Sequence, residues 1–369
     1  MEKRNIIVVG ASAGGIEAFQ QLMAGLPPDL DAALFIVWHM APTVRGVLPQ
    51  LLSRFTTIPV AHAYDNEPVQ MGRIYVAPPD HHLLIENGHV RVTHGPKENR
   101  FRPAIDPLFR SAAYAYGNRV MGVLLSGALD DGTAGLWAIK HRGGLALVQD
   151  PQEALVAAMP ENAIRQVAVD YVLPVAQLTT QLVQLTGEHV SETPQVSMEE
   201  NEKTKTEIRI AADETALGLN LSEYGQPSRY ACPECHGVLT QLKEGPLARF
   251  RCHTGHAYSA DTLLAAITEQ IEDSLYGAIR GVDESVILLN RLGDQLADAN
   301  QPRKAGIYFQ KAQEALRRGE LIRQAIRAQE PLSLESFPQS ETDTADRERL
   351  QERRTPNTPP ITSPTESSE

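Results

Sequence analysis

The chain has 369 residues, enough for one sizeable core and further modules. Its 46 acidic and 34 basic residues give a formal net charge of -12, which argues against a general nucleic-acid binder, because phosphate contacts require clustered cations. No apolar run approaches the roughly 20 residues of a membrane-spanning helix, and the N-terminal apolar stretch is too short for a secretory signal. We therefore expect a cytoplasmic protein with neither a membrane span nor a nucleic-acid partner.

The first half of the chain alternates short apolar runs with helix-like stretches. Apolar, β-branched runs typical of buried strands lie at residues 5–10, 33–38, 73–77, 120–126, 145–149 and 169–173. Helical spacing of apolar residues occurs at 15–26, 44–55, 107–116 and 132–142, and a further helix is expected from about Pro160. This alternation predicts an α/β fold with a doubly wound, largely parallel sheet that closes near residue 185.

The second half has a different character. Residues 186–229 are rich in Glu, Thr, Lys and Ser with little apolar periodicity, which favours a linker. From 260 to 329, apolar residues recur at steps of three and four on both sides of a break near Pro302, which predicts an α-helical hairpin whose apolar stripe serves either mutual packing or a partner. The expected units are 1–185, a linker at 186–229, a Cys/His module at 230–259, the hairpin at 260–329 and a disordered tail at 330–369.

A small-residue turn with the sequence GASAGG, centred on Ser12, stands where the first strand passes into a helix. Dinucleotide binding requires a glycine at the position of Ser12 and an acidic residue after the second strand, which ends in Trp38-His39 instead. A nucleophile turn exposes a serine oxygen near N–H groups that can hold an oxyanion, and small neighbours suit it. A plain tight turn capped by the serine hydroxyl is the alternative. The partners of Ser12 must therefore decide between them.

Candidate partners follow two other strands. His39 ends the second strand, and Asp130 and Asp131 follow the strand at 120–126. Because the carboxyl ends of parallel strands meet at one sheet edge, these groups can converge with Ser12 as nucleophile, base and orienting acid. A satisfied strand-end histidine and an aspartate acting as a turn cap are the alternatives. His81 and His82 also follow a strand closely, but without such a position.

These residues resemble the catalytic domain of the chemotaxis protein-glutamate methylesterase family (CheB type). The match is carried by VVGASAGGIEAF, His39-Met40, IYVAPPDHHLLI, RPAIDPLFRSAA, VLLSG with DDG, and LVQDP with AAMPENAI, over residues 5–185. The resemblance implies Ser12 as nucleophile, His39 as base and Asp131, rather than Asp130, as the orienting acid. It also implies oxyanion donors in the backbone N–H groups of Ala13 and Ala128. One departure is Leu129, which stands where the family usually has glycine.

The resemblance also implies a reaction. The substrate would be a glutamate γ-methyl ester on a methylated chemoreceptor or related signalling protein, hydrolysed without a catalytic cofactor, with glutamine deamidation as a second activity. Regulated family members carry a receiver domain ahead of the hydrolase, whereas here the first strand starts at residue 5, so we expect no attached receiver. Two alternatives are a non-catalytic adaptor that binds partners through the Cys/His module and hairpin, and a general esterase with a deep apolar pocket for small molecules.

All three cysteines lie in one short segment. Cys232 and Cys235 are followed, after sixteen residues, by Cys252 and a histidine, which is the ligand spacing of a zinc ribbon. We expect a structural zinc ion held by these cysteines and His256, with His253 or His236 as alternatives for the fourth ligand. Unligated thiols in a reducing compartment are one alternative, and a catalytic zinc, for which Glu234 is the only adjacent carboxylate, is another.

Overall fold

The computed structural model describes residues 2–40, 46–190, 194–213, 223–245 and 247–328. The tail predicted at 330–369 and the first two residues of the helix predicted at 44–55 lie outside the described residues. Within the ranges described, none of the helices combines the length and the apolar character that crossing a bilayer requires.

The first half of the chain alternates strands and helices, as predicted. The strands are β1 (Ile6–Ala11), β2 (Ala33–Trp38), β3 (Val60–His62), β4 (Arg73–Val76), β5 (His82–Glu86), β6 (His89–Thr93), β7 (Val120–Leu124), β8 (Leu145–Gln149) and β9 (Tyr171–Leu173). The helices are α1 (Gly15–Ala24), α2 (Leu48–Leu52), α3 (Ile105–Tyr116), α4 (Thr133–His141), α5 (Ala158–Gln166) and α6 (Val175–Leu185). Seven strands form one sheet in the order β3-β4-β2-β1-β7-β8-β9, and every pairing in it is parallel. The predicted α/β fold is confirmed.

Helices cover both faces of this sheet, because its strands are apolar on both sides. Every residue of β1 is buried, as expected for a strand inside an α/β domain. One face packs on α3, α4 and α5, and the other on α1, α2 and α6. The sheet is therefore doubly wound. Its winding reverses at β1, which lies between β2 and β7, and the crevice outside the carboxyl ends of such strands is where open α/β sheets bind ligands.

The antiparallel hairpin β5–β6 was not predicted. Its turn is Asn87-Gly88, and both residues have positive φ angles, of 50° and 78°. A two-residue turn of this kind favours Asn-Gly, because asparagine and glycine tolerate the left-handed conformation best. The signal was present in the sequence between two apolar runs.

The segment expected to be a linker is more ordered than its composition indicates. Helix α7 (Met198–Ala211) forms in its middle, and Ser197 caps it by accepting a hydrogen bond from the backbone N–H of Glu200 at 3.2 Å. The buried face of α7 includes Glu207 as well as Ile210, so its apolar periodicity is weak. The expectation of a segment without regular structure is thus wrong for α7, while the domain boundaries stay predictions.

The Cys/His module is a small antiparallel sheet. Its strands are β10 (Gly225–Ala231), β11 (Val238–Glu244), β12 (Leu247–Cys252) and β13 (Ala257–Ser259), paired in that order. Its core is formed by Leu239, Phe250 and Tyr258 together with two of the cysteines. A core this small usually requires a disulfide or a metal ion to hold it.

Two long helices end the described chain. Helix α8 (Ala260–Asp298) begins at a capping box in which Ser259 and Thr262 exchange hydrogen bonds, and α9 (Pro302–Arg327) follows. Arg323 of α9 pairs with Asp283 of α8 at 2.7 Å, whereas Phe309, earlier in α9, lies against Gly293, later in α8. The helices are therefore antiparallel, as the predicted hairpin requires. For brevity, residues 225–328 are called the C-terminal module below.

Candidate active site

Ser12 stands immediately after β1, in the turn that leads into α1. Its carbonyl oxygen accepts hydrogen bonds from the backbone N–H of Gly15 at 3.0 Å and from the indole N–H of Trp38 at 2.9 Å. Gly14 has a φ angle of 72°, and a Cβ at this position would lie 2.6 Å from the Cβ of Leu155. Only glycine fits this combination of left-handed backbone and close packing. The turn holds Ser12 half-buried at the sheet edge.

The three residues predicted to act together do lie together. Nδ1 of His39 is 3.1 Å from Oγ of Ser12, and Nε2 of His39 is 2.7 Å from Oδ2 of Asp131. The three side chains follow β1, β2 and β7, the neighbouring strands at the point where the sheet reverses its winding. Their convergence therefore follows from the topology of the sheet.

The ring nitrogens of His39 have separate roles. A carboxylate only accepts hydrogen bonds, so the proton of the neutral ring lies on Nε2, which faces Asp131, and Nδ1 accepts from the Ser12 hydroxyl. In the familiar serine-protease arrangement the two nitrogens have the opposite assignment. The ring of Phe101 stacks on the imidazole with 3.9 Å between centroids and 10° between planes. This stacking restricts the ring to the orientation that reaches both partners.

Asp131 is almost fully buried and is surrounded by donors. Its carboxylate accepts hydrogen bonds from His39, from the side chain of Asn99, and from the backbone N–H groups of Ile105, Asp106 and Gly132. Burial alone would raise the pKa of Asp131, but the hydrogen bond from His39 and those from the other donors outweigh it and hold the pKa below its ordinary value. Asp131 is thus ionised when His39 needs a negative partner.

Asp130 faces away from the histidine. Its Oδ1 accepts a hydrogen bond from the hydroxyl of Ser259 at 2.6 Å, and burial, with lesser contributions from Asp261 and Asp131, raises its pKa to about 7. Of the two aspartates left open by the reasoning from strand ends, the structure places Asp131 beside His39.

The loop between β7 and α4 holds Leu129 in a left-handed backbone conformation. This residue has a φ angle of 61°, the left-handed conformation that glycine adopts readily, and its carbonyl oxygen accepts a hydrogen bond from the side chain of Asn162 at 2.8 Å. Gly127, earlier in the loop, packs so closely that a Cβ would lie 2.9 Å from the Cβ of Ser12. Among the described residues, the backbone N–H groups of Ala13 and Ala128 have no acceptor, which leaves both free for an oxyanion.

Two residues next to His39 and Asp131 were missed by the reasoning from sequence. Phe101 stacks on His39, and Asn99 donates to Asp131 at 2.7 Å and to Asp106 at 2.8 Å. Burial, followed by the charge of Asp131, raises the pKa of Asp106 to about 8. Both missed residues lie in an irregular loop before α3, where neither strand ends nor spacing gave a signal.

Of the two other histidines noted near a strand, His82 has a structural role. His82 is buried, with Nε2 2.9 Å from the carbonyl oxygen of Pro96, and its Nδ1 accepts from the backbone N–H of Ala104 at 3.3 Å. Burial lowers the pKa of His82, so the ring is neutral. It joins two loops and does not reach Ser12.

A groove of about 640 Å³ opens over Ser12 and His39. Its apolar lining includes Ile16, Trp38, Met40, Phe101 and Leu155, and its charged lining Glu17, Asp80, Lys97, Arg100 and Arg102. The groove can therefore accept an acyl group with an aliphatic stem.

A second cluster lies in the C-terminal module. The ligand atoms of Cys232, Cys235, Cys252 and His256 all lie within 4.8 Å of one another, so the group can hold a metal ion. Cys235 and Cys252 have their sulfur atoms 3.6 Å apart, and Nδ1 of His256 is 3.7 Å from the sulfur of Cys232. His253, the alternative fourth ligand, is exposed and packs over Gly237 instead.

Comparison with known proteins gives the family of the first half of the chain. The family model described as CheB methylesterase matches residues 7–182. A relative from Leptospira interrogans, named "Putative protein-glutamate methylesterase/protein-glutamine glutaminase", is 39% identical over 180 residues, which are 48% of this chain and 93% of that protein. The chain belongs to the CheB methylesterase family. The family, the α/β fold and the hydrolase class predicted from the sequence are confirmed.

Other relatives of this CheB methylesterase domain are longer. A protein-glutamate methylesterase/protein-glutamine glutaminase 2 from Anaeromyxobacter dehalogenans is 39% identical over 181 residues, 49% of this chain but 53% of that protein. The chain is also similar to the solved catalytic domain of the CheB methylesterase of Thermotoga maritima, with 32% identity, a TM-score of 0.48, and coverage of 50% of this chain and 100% of that one. The match to the CheB family model ends before α7, so the C-terminal module lies outside it.

Proposed function

We propose that the chain hydrolyses the γ-methyl ester of glutamate side chains on a methylated chemoreceptor or related signalling protein, and the γ-amide of glutamine as a second reaction. The observation that carries this proposal is the hydrogen-bonded series Ser12, His39 and Asp131 at the floor of an open groove. The names of the relatives, which combine a methylesterase with a glutaminase, support both substrates. Ester and amide share one γ-carbonyl carbon and differ only in the leaving group.

The first half of the reaction forms an acyl-enzyme. Nδ1 of His39 takes the proton of the Ser12 hydroxyl while Oγ attacks the γ-carbonyl carbon. Asp131 holds the ring through Nε2 and stabilises the imidazolium. The negative oxygen of the tetrahedral intermediate lies at the free N–H groups of Ala13 and Ala128. When the intermediate collapses, the C–O bond to the methoxy group breaks, and His39 returns its proton to release methanol.

The second half regenerates the enzyme. A water molecule gives a proton to Nδ1 of His39 and attacks the γ-glutamyl ester of Ser12. The second tetrahedral intermediate uses the same oxyanion donors, and its collapse breaks the bond to Oγ of Ser12, which takes the proton back. The products are a glutamate carboxylate and the free serine. With glutamine the leaving group is ammonia, and the other steps are the same.

The shape of the groove supports a protein substrate. A glutamate side chain presented by a helix brings the bulk of its partner to the surface, so it requires an open site rather than a deep apolar pocket. The groove is open, and its lining combines apolar side chains with both acidic and basic ones. These features favour a receptor-type substrate over the small-molecule esterase considered from the sequence.

The Cys/His cluster fits a structural zinc ion. Zinc–sulfur bonds of about 2.3 Å in a tetrahedron place neighbouring ligand atoms about 3.7 Å apart. The separations of 3.6 Å between Cys235 and Cys252 and of 3.7 Å between Cys232 and His256 agree with this value. An ion there would link the ends of β10 and β12 and hold the small core of the ribbon together. Four protein ligands fill the coordination sphere, and the carboxylate of Glu234 pairs with Lys97, so catalysis at the metal is not favoured.

Release of methanol from a methylated receptor fragment tests the proposal. We expect the wild-type chain to release it and both Ser12→Ala and His39→Ala to lose at least about 10³-fold in kcat. Folded, zinc-containing wild-type protein that binds the fragment without releasing methanol would support the adaptor instead. A small methyl ester hydrolysed better than the fragment would favour the general esterase.

The clustered, unbridged cysteines support a reducing location such as the cytoplasm.

A further inference from the structure

Residues 97–101, here called the bridging segment, lie between the catalytic groups and the C-terminal module. Two of its side chains contact the proposed triad, since Asn99 donates to Asp131 and Phe101 stacks on His39. On the other side, Lys97 pairs with Glu234 of the ribbon and Arg100 pairs with Glu269 of α8. One short loop thus contacts both the active site and a module distant in the chain.

The backbone of the bridging segment is held by β13. The N–H of Asn99 donates to the carbonyl oxygen of Ala257 at 2.8 Å, and the N–H of Ala257 donates to the carbonyl oxygen of Lys97 at 3.2 Å. Asn99 and Arg100 have positive φ angles of 50° and 75°, and the left-handed region is unfavourable for arginine. Such a conformation persists only where its surroundings determine it, and much of those surroundings is the C-terminal module.

A buried ion cluster fixes the module against the hydrolase. Glu98 of the bridging segment accepts from Arg251 at 2.7 Å and from Arg249 at 3.0 Å, and both arginines lie on one face of β12. Glu207 of α7 pairs with the same two arginines, and Arg110 of α3 completes the group. Burial would raise the pKa of Glu98, but Arg110, Arg251 and Arg249 outweigh it and lower the pKa to about 2. The same arginines hold the pKa of Glu207 well below its ordinary value. Both carboxylates are therefore ionised, and separating the modules would leave buried charges without partners.

The side-chain amide of Asn99 connects this interface to Asp131. Its Nδ2 donates to Asp131 and Asp106, while its Oδ1 accepts from the backbone N–H of Ser259 at 3.0 Å and from the hydroxyl of Thr262 at 3.1 Å. If the amide turned over, its oxygen would face two carboxyl groups and its NH₂ would face a backbone N–H. The donors at the start of α8 therefore determine which end of the amide faces the catalytic aspartate.

We propose that the C-terminal module completes the active site, with Asn99 as a positioning residue that the start of α8 holds in place for Asp131. The proposal rests on the proposed hydrolase function of Ser12, His39 and Asp131. Ser259 and Thr262 act through Asn99 and touch neither the substrate groove nor the reacting atoms. Loosening the ribbon or the start of α8 then slows the chemical step, while substrate binding is preserved.

Thr262 offers a matched test in the full-length chain. Thr262→Val keeps the shape of the side chain but removes the hydroxyl that donates to Asn99 and that accepts from the backbone N–H of Ser259 in the capping box, whereas Thr262→Ser retains a hydroxyl. We expect Thr262→Val to lower kcat about fivefold with KM little changed, which is the rate equivalent of one neutral hydrogen bond. Thr262→Ser should restore most of kcat. Glu200→Gln, which removes the charge from an exposed contact between α7 and His141, serves as the control and should leave kcat unchanged.

A double-mutant cycle tests whether the effect passes through Asn99. We expect Asn99→Ala to lower kcat about 10- to 100-fold, which is the usual cost of losing a group that orients a functional side chain. Adding Thr262→Val to Asn99→Ala should then cost nothing further, because the amide is already gone. An equal loss from Thr262→Val in both backgrounds would overturn the proposal, and so would an unchanged kcat in Thr262→Val alone. Thermal midpoints and zinc content, measured for each variant, identify any that fails to fold.

A spectroscopic measurement tests the positioning of Asp131 separately from the proposed hydrolysis. The proton between Nε2 of His39 and Asp131 gives a low-field ¹H NMR resonance that reports the geometry of this hydrogen bond. We expect it to move in Thr262→Val and to stay in place in Thr262→Ser and Glu200→Gln. If the resonance moves in Thr262→Val but the wild-type protein hydrolyses no ester, the positioning of Asp131 is supported and the proposed reaction is rejected. Normal hydrolysis that depends on Ser12, with no change of resonance or kcat in Thr262→Val, would reject the positioning alone.

Discussion

Nε2 of His39 lies 2.7 Å from Oδ2 of Asp131, and only 3% and 2% of the two side chains are exposed. An ion pair or hydrogen bond this well shielded from water is strong, because the local dielectric is low. Asp130, the same residue type one position earlier, contacts the hydroxyl of Ser259 instead of His39. The two aspartates therefore form a matched pair of test positions.

Asp131→Asn is expected to lower kcat about 10³- to 10⁴-fold, because an amide can stabilise the wrong tautomer of His39 and cannot stabilise the imidazolium. Asp130→Asn keeps an oxygen for the hydroxyl of Ser259 and should leave kcat within about twofold. Steady-state methanol release measures both. Equal losses in the two variants would remove the distinction between the aspartates, and with it the assignment of Asp131.

The left-handed backbone at Leu129 should lower the stability of the folded chain, and this effect can be measured apart from side-chain packing. Leu129→Gly and Leu129→Ala both remove the side chain, but only glycine relieves the φ angle of 61°. The glycine variant should be more stable than the alanine variant by about 1 kcal/mol, or about 2–4 °C in the unfolding midpoint. Calorimetry of the two variants measures the difference. Equal midpoints would mean that the loop relaxes away from the left-handed conformation.

The raised pKa of Asp130 should make the stability of the folded chain depend on pH. Its pKa rises from an ordinary value of 3.8 to about 7 in the folded chain, so between those pH values the unfolded chain releases a proton that the folded chain keeps. Stability therefore falls as the pH rises from about 4 to about 7 and is constant for this group above that. Asp261, Asp131 and Arg165 are the charged groups that act on it.

The variant Asp130→Asn removes this titration. Relative to wild type, its free energy of unfolding should rise by about 1.4 kcal/mol per pH unit between pH 5 and pH 7. Urea unfolding at pH 5, 6, 7 and 8 measures the difference. Parallel curves for the two proteins would show that Asp130 is ionised throughout and that its burial is relieved in the folded state.

The Cys/His cluster predicts one zinc ion with a defined ligand set. His256→Ala should lose the metal on dialysis, whereas His253→Ala, which changes an exposed histidine three positions earlier, should keep about one zinc ion per chain. Because zinc binding contributes to folding, chelation should also lower the unfolding midpoint of wild type. Elemental analysis and thermal melts measure these effects. If His256→Ala kept its zinc and His253→Ala lost it, His253 and not His256 would be the fourth ligand.

The residues that sequence reasoning found are those whose position follows from topology. Ser12, His39 and Asp131 each follow an apolar strand, and parallel strands bring their carboxyl ends to one edge. Asn99 and Phe101 lie in the loop after β6, which belongs to the small hairpin and not to the seven-stranded sheet. Asn99 is held by contacts with residues more than 150 positions later. No local pattern encodes a contact of that kind.

Helix α7 shows the same limit in a different way. Its most important buried group is Glu207, whose partners Arg249 and Arg251 lie on β12. A carboxylate on the buried face of a helix looks like a solvent-facing residue in the sequence, so the periodicity of α7 is hidden. Both arginines lie on β12, more than 40 positions after Glu207, so no local pattern in the sequence predicts the ion cluster.

The most direct test of the proposed hydrolase is the ratio of kcat/KM between the wild-type chain and Ser12→Ala, measured as methanol released from a receptor helix carrying a glutamate γ-methyl ester. A ratio of about 10³ or more is the predicted result, because the substitution removes the attacking oxygen and leaves the groove intact. A ratio near one, with wild-type activity well above the uncatalysed rate, would contradict it and would place the nucleophile elsewhere.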